Sequence, residues 1–205
     1  LLKELYEEQK RLKRENAINL SLDLFTNAKE KESNLEAQGE TINSAIEYFV
    51  QSLKPIENYY ATPLETTYNG ERIFLQNEIY SSLQSILSRI KLNVSNPKLN
   101  VKVGNSLNNS LDVLVTFSDN GRYVNVTNVP INYSFIKGSG ELVNIVRTDS
   151  KGIARGQIIN ISPLEKLQMI KCSLDLTNYF VVDSTSIYLL KTLESINTPS
   201  SKIII

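Results

Sequence analysis

The chain has 205 residues, 22 basic and 22 acidic side chains, no histidine, no tryptophan and one cysteine, Cys172. Mechanisms that need an imidazole base, a Cys/His dyad or a zinc cluster built from cysteines and histidines are thereby excluded within this chain. The balanced charge gives no overall field to draw a phosphate backbone or an anionic lipid surface, so no nucleic-acid partner is expected.

At roughly 100 to 200 residues per domain, the length fits two modules. The opening residues Leu1 to Glu8 lack a basic stretch followed by an apolar run. No apolar stretch approaches the roughly 18 residues that read as a membrane span. A single cysteine cannot close an internal disulfide, which leaves the compartment open. The missing initiating methionine and the apolar finish Ile203-Ile204-Ile205 read as a piece cut from a longer protein.

Residues 1–92 carry 14 acidic and 11 basic side chains with only two prolines and two glycines, and their apolar residues recur at helical spacing. A first helix is expected over 1–35, with Leu5, Leu12, Ala17, Leu20, Leu24 and Ala28 as its apolar stripe. Gly39 supplies a turn and Thr41 an N-cap. A second helix then follows with Ile42, Ala45, Ile46, Phe49, Leu53 and Ile56 on one face, ended or kinked by Pro55. Tyr59 to Gly70 reads as a connecting loop. A third helix over 76–91 would bury Ile79, Leu83, Ile86, Leu87 and Ile90. Three such helices can close one small core, as a bundle or hairpin.

From Asn96 the composition turns to β-branched residues, Asn, Gly and Ser, and the period shortens to two. Strands are expected at 99–103, 111–117, 131–135, 142–146, 152–161 and 167–176, with Asp119-Asn120-Gly121 as a turn. Ile187 to Ile196 fits a short helix or a last strand, and Thr198 to Ser201 a linker. Lys202 to Ile205 would open a further module. The expected division is 1–95 helical, 96–180 antiparallel β-sandwich, and 181–205 linker and start of another module.

Two stretches resemble known families. The hairpin from Asn16 to Tyr60, most visibly Ala45-Ile46-Glu47-Tyr48-Phe49 and Gln51-Ser52-Leu53-Lys54-Pro55, resembles a single tetratricopeptide-like repeat. No second copy follows at a 34-residue period, so a generic helical bundle is the simpler reading. The run Val129-Pro130-Ile131-Asn132-Tyr133-Ser134-Phe135, then Gly138-Ser139-Gly140, then Thr148-Asp149-Ser150-Lys151-Gly152-Ile153-Ala154 looks like the bacterial immunoglobulin-like domains of the invasin and intimin type. That likeness covers about 97–178 and implies an immunoglobulin-like sandwich. Locally, Asp149 can bond the turn backbone, Gly152 can take positive φ and Ala154 can pack inward. Helices followed by such a sandwich also resemble the layout of bacterial envelope lipoproteins.

Little else points to chemistry. Asp112, Asp119, Asp149, Asp175 and Asp183 lack the spacing of a calcium loop and read as turn residues. Cys172 lies in an alternating run and reads as a buried side chain with no histidine to activate it. The triplets at Asn19, Asn93, Asn108, Asn125, Asn132 and Asn160 match the glycosylation pattern at the rate so Asn-rich a chain gives by chance. Tyr48, Tyr59, Tyr60, Tyr68 and Tyr80 cluster in the helical half and are the candidate partner-binding residues, against a simpler role in helix packing.

No catalytic, cofactor or metal residue is assigned, and no cofactor is expected. The expected function is non-catalytic: a bacterial cell-envelope protein, periplasmic or associated with the outer membrane, that serves as a structural spacer or interaction platform. Its partner would be another envelope protein or envelope polymer, and any membrane contact would run through a lipid anchor outside these residues. The alternatives are an accessory segment of a larger envelope enzyme or transporter, or a surface adhesin repeat.

Overall fold

The computed structural model describes residues 1–34, 39–101, 110–179 and 187–205. In chain order the elements are α1 (Leu2–Ser33), α2 (Gly39–Leu53), a 3₁₀ turn at Glu57–Tyr59, the strands β1 (Glu65–Tyr68) and β2 (Glu71–Phe74), and α3 (Leu75–Ser88). There follow β3 (Ile90–Val94), β4 (Ser110–Asp119), β5 (Arg122–Asn125), β6 (Pro130–Lys137), β7 (Gly140–Val143) and β8 (Ile145–Arg147). The chain continues with β9 (Ile153–Ile161), β10 (Met169–Leu174), a second 3₁₀ turn at Leu176–Tyr179, α4 (Ile187–Ser195) and β11 (Ser200–Ile204). N-terminal helices are thus followed by antiparallel sheets.

The chain divides into two compact units, each assembled from three stretches. One comprises 1–34, 44–86 and 179–197; the other comprises 35–43, 87–178 and 198–205.

In the helical unit the second helix follows its apolar pattern closely. Ala45, Ile46, Phe49, Val50, Leu53 and, beyond it, Ile56 are at most 2% exposed. The helix ends at Leu53 because Pro55 cannot supply the next backbone donor. The first helix departs from its expected stripe. Its buried residues are Ala17, Ser21, Phe25 and Ala28, whereas Leu5, Leu12 and Leu20 are all at least half exposed. Phe25 sets the phase: its ring lies 5.8 Å from Phe49 and meets Tyr68 edge-on at 5.2 Å. Ser21 closes the contact by donating to the Ser52 carbonyl at 2.6 Å.

The stretch expected as a loop, Tyr59 to Gly70, contains β1 and the turn of the β1–β2 hairpin, which is paired from Glu65↔Phe74 to Tyr68↔Glu71. Asn69 and Gly70 form its two-residue turn with φ of 50° and 83°, the positive pair that a tight hairpin requires. The third helix stops at Ser88 instead of Lys91. Ile90 and Leu92 go on burying apolar side chains, now at period two, as strand β3.

The β-rich unit holds two antiparallel sheets. One runs β3-β4-β9-β7, with β5 paired to the far half of β4; the other runs β11-β10-β6-β8. Of the residues expected as a linker (198–201) and as the start of a further module (202–205), Ser200–Ile204 form β11, which pairs along β10 from Met169↔Ile204 to Ser173↔Ser200. The expected strand over 142–146 is split at Asn144: β7 pairs with β9 in one sheet and β8 with β6 in the other. Of the expected strand at 99–103, residues 102 and 103 lie outside the described residues, and Leu99 to Val101 form no strand. Lys98, just before it, bridges in parallel to Ile204, and the Leu99 amide donates to the Ile204 carbonyl at 2.8 Å.

Alternation directs the inner faces of the two sheets. Leu111, Val113, Val115 and Phe117 on β4, Ala154 and Ile158 on β9, Ile131 and Tyr133 on β6, and Ile170, Cys172 and Leu174 on β10 are all at most 2% exposed. Tyr133 joins the sheets directly. Its hydroxyl lies 2.9 Å from the Leu111 carbonyl and 3.1 Å from that of Ala154, both in the opposite sheet. The ring fits because residue 156 is glycine: a β-carbon there would stand 2.7 Å from it. Arg89 secures the end of β4, its guanidinium 4.2 Å over the Phe117 ring and donating to the Ser118 carbonyl at 2.9 Å and to Asp119 at 2.5 Å.

Candidate functional site

The five tyrosines are spread over four places in the helical unit, Tyr59 and Tyr60 being neighbours at the first 3₁₀ turn. Tyr48 is half-buried on α2 and Tyr59 half-buried in the first 3₁₀ turn. Tyr60 donates to the Leu53 carbonyl at 3.3 Å, and burial pushes its hydroxyl up to about 12. Tyr68 packs on Phe25, and Tyr80 on α3 reaches the Ser195 carbonyl at 3.5 Å. Among the described residues no ring-to-ring contact joins any two of the five. For Tyr60, Tyr68 and Tyr80, the contacts are those of packing and of ties between elements.

One of the five, Tyr60, lines a surface depression of about 390 Å³ with Ala61, Pro63, Phe74, Gln76 and Asn77. Its shape follows from the hairpin. β2 delivers Phe74 to the wall just before α3 begins, and Phe74 remains 49% exposed. Gln76 holds the neighbouring backbone in place by accepting from the Leu64 amide at 3.0 Å and donating to the Thr62 carbonyl at 3.2 Å. An exposed phenylalanine beside a proline and a tyrosine, with a carboxamide at the rim, is suited to an apolar side chain or a sugar face. Nothing in it resembles an acid/base pair. Sequence reasoning missed Phe74 because it falls between the expected loop and the expected third helix; the Asn69-Gly70 pair between Glu65-Thr66-Thr67-Tyr68 and Glu71-Arg72-Ile73-Phe74 was the signal that could have placed it.

The Thr148–Ala154 motif is a folding device. Asp149 Oδ1 accepts from the amides of Lys151 at 2.8 Å and Ile153 at 3.0 Å, while Oδ2 pairs with Arg155. Gly152 sits at φ 75°, a conformation open to glycine, and Ala154 is fully buried. Thr148 is also buried, donating to the Val126 carbonyl at 2.8 Å and accepting from the Val129 amide at 3.0 Å.

The amide of Ile153, then Arg155 and the amide of Lys151, hold the Asp149 carboxyl down at about 2, from an ordinary 3.8. Because the folded value is depressed, the stabilisation is complete above the ordinary value and fades as pH falls toward about 2. The stability difference between the wild type and Asp149→Asn is therefore expected to be constant from neutral pH down to about 4 and to shrink below it, as measured by urea titrations at several pH values. A difference that does not change over that window would assign the effect to shape and not to charge.

The other aspartates are similarly engaged. Asp119 pairs with Arg89, Asp112 accepts from the Ser110 hydroxyl, and Asp175 accepts from Thr177 and Asn178. Asp183 lies outside the described residues. Cys172 is fully buried between the sheets, and burial pushes its thiol up to about 12. Among the described residues no group of three or more metal-ligating side chains converges, and no helix is long and apolar enough to cross a membrane.

Compared with known proteins, the chain matches no family model, no curated protein and no solved structure.

Proposed function

We propose that the chain is a non-catalytic bacterial cell-envelope protein, acting as a structural spacer or protein-interaction platform in which an immunoglobulin-like sandwich accompanies a helical unit. The observation that carries this reading is the pairing order of the β-rich unit. It supports an immunoglobulin-like reading, in which β3-β4-β9-β7 would stand for strands A, B, E and D and β11-β10-β6 for G, F and C, with β5 and β8 as additions. The Thr148–Ala154 turn supports the same reading, and the envelope location rests on the resemblance of residues 97–178 to invasin and intimin domains. The depression around Phe74 is the surface this reading assigns to a partner, which would be another envelope protein or an envelope polymer.

The whole chain is the bait for the test, because the boundary between the units runs through α2 and α3 and the stretches cannot be cut apart cleanly. In a pull-down from a detergent-solubilised bacterial envelope, the platform role predicts one specific component retained by the wild type and lost with Phe74→Arg. Phe74 is exposed, so the substitution leaves the fold intact. Retention of nothing above control restricts the chain to the spacer role. Turnover of an envelope glycan or peptide by the purified chain overturns the proposal.

A further inference from the structure

The N-terminal half of α1 is uncovered along its whole length. Every residue from Leu1 to Asn16 is exposed, and burial begins only at Ala17. The exposed half nevertheless carries leucines, with Leu2 85%, Leu5 56% and Leu12 50% exposed. Leu2, Leu5, Gln9, Leu12 and Asn16 follow one another at alternating steps of three and four. At 3.6 residues per turn they fall within about 80° of arc. That arc lies about 130° round the helix from the face of Ala17, Ser21, Phe25 and Ala28. The leucines form a second face, and it does not continue the one the helical unit buries.

The spacing is that of a heptad with Leu2, Gln9 and Asn16 at position a and Leu5 and Leu12 at position d. The flanking charges are sorted. Leu1, Glu8 and Glu15 hold position g on one side of the stripe, and Tyr6, Lys13 and Leu20 hold position e on the other. In a parallel pair of helices, g of one chain meets the following e of the other. Glu8 then meets Lys13 of a second copy, Leu1 meets Tyr6 and Glu15 meets Leu20, with no like charges opposed. In an antiparallel pair g meets g, and the acidic residues face one another. An asparagine at position a, here Asn16, is a residue that specifies register and oligomer state in a coil, at a cost in stability. Arg11, 2.5 Å from Glu8 and 2.6 Å from Glu15, braces the outer side of the same helix.

We infer that two copies of the chain associate through a parallel, in-register two-stranded coil formed by Leu2–Asn16 of α1. This stands independently of the proposed envelope role. Sedimentation equilibrium of the 205-residue chain is expected to show a concentration-dependent dimer. The double substitution Leu5→Glu, Leu12→Glu is expected to sediment as a monomer with an unchanged near-ultraviolet spectrum, since neither leucine is packed in the core. Glu8→Lys is expected to weaken the dimer several-fold, and adding Lys13→Glu to restore it. Orientation is read by cross-linking: Cys172 is buried, so oxidation of Leu5→Cys links two copies through position 5 when the helices are parallel and in register. A monomer at every concentration overturns the inference, as does a dimer that survives the two glutamates. Linkage only in a mixture of Leu5→Cys and Leu12→Cys chains overturns the parallel arrangement.

Discussion

Truncating Tyr133 to alanine is expected to destabilise the β-rich unit by about 3 to 5 kcal/mol, the usual cost of deleting a fully buried aromatic ring. The side chain is 1% exposed and spans the space between the sheets, with its ring against Gly156. Tyr133→Phe keeps the ring and removes only the hydroxyl that serves the Leu111 and Ala154 carbonyls. It should cost about 1 to 2 kcal/mol. Gly156→Val approaches from the opposite side, pushing carbon into the ring for about 1 to 3 kcal/mol. Urea unfolding followed by the tyrosine near-ultraviolet signal orders the three variants. If the alanine variant lay within 1 kcal/mol of the wild type, Tyr133 would not be what couples the sheets.

The helical unit offers the second large effect, and two residues of α1 provide opposite arms. Phe25→Ala should cost about 3 to 5 kcal/mol, because the ring is 1% exposed between Phe49 and Tyr68. Leu12→Ala on the same helix should change the stability of the folded unit by less than about 0.5 kcal/mol. Both are apolar residues in one amphipathic helix, and the sequence alone would rank the leucine as the more typical core residue. Thermal unfolding of the two variants at a common low protein concentration separates burial from hydrophobicity. Equal losses would place Leu12 in the core.

That contrast marks where the sequence is legible. Alternation made the central strands β4, β6, β9 and β10 readable, and helical spacing did the same for Ile42 through Ile56, because one face of each is covered continuously. In α1 the covered face begins only at Ala17, and the exposed leucines follow the helical period in a different phase, so the expected stripe found Ala17 and Ala28 but missed Ser21 and Phe25. Ile90 happens to extend the spacing of Ile79, Leu83 and Ile86, which hid the change from helix to strand at Arg89. The β1–β2 hairpin buries almost nothing of its own and left only Asn69-Gly70 as a trace. The split at Asn144 depends on which sheet each half of the strand can reach. The place of Ser200–Ile204 depends on a partner, β10, beyond a helix. Neither is a local property.

The candidate site divides in the same way. Tyr60 could be found by listing aromatics in the helical half. Phe74 lies in the same half, and the Asn69-Gly70 pair marks its segment, but an exposed phenylalanine becomes informative only once its exposure is known. The backbone turn at Asp149 was legible because its acceptor, its glycine and its small inward residue lie within seven residues, whereas the Arg155 pair and the bonds of Thr148 to Val126 and Val129 were not.

The interleaving of the two units along the chain bears on synthesis at the ribosome. Neither unit is encoded in one uninterrupted stretch: the helical unit waits for α4, and the β-rich unit waits for β11 to pair with β10. A nascent chain that has emerged only as far as Leu174 therefore presents β10 with one edge unpaired, and all its earlier apolar faces must persist until the last stretches arrive. The fold is in this sense completed from its final segments, and its slowest step is expected to be the closure of long-range contacts and not the formation of any helix.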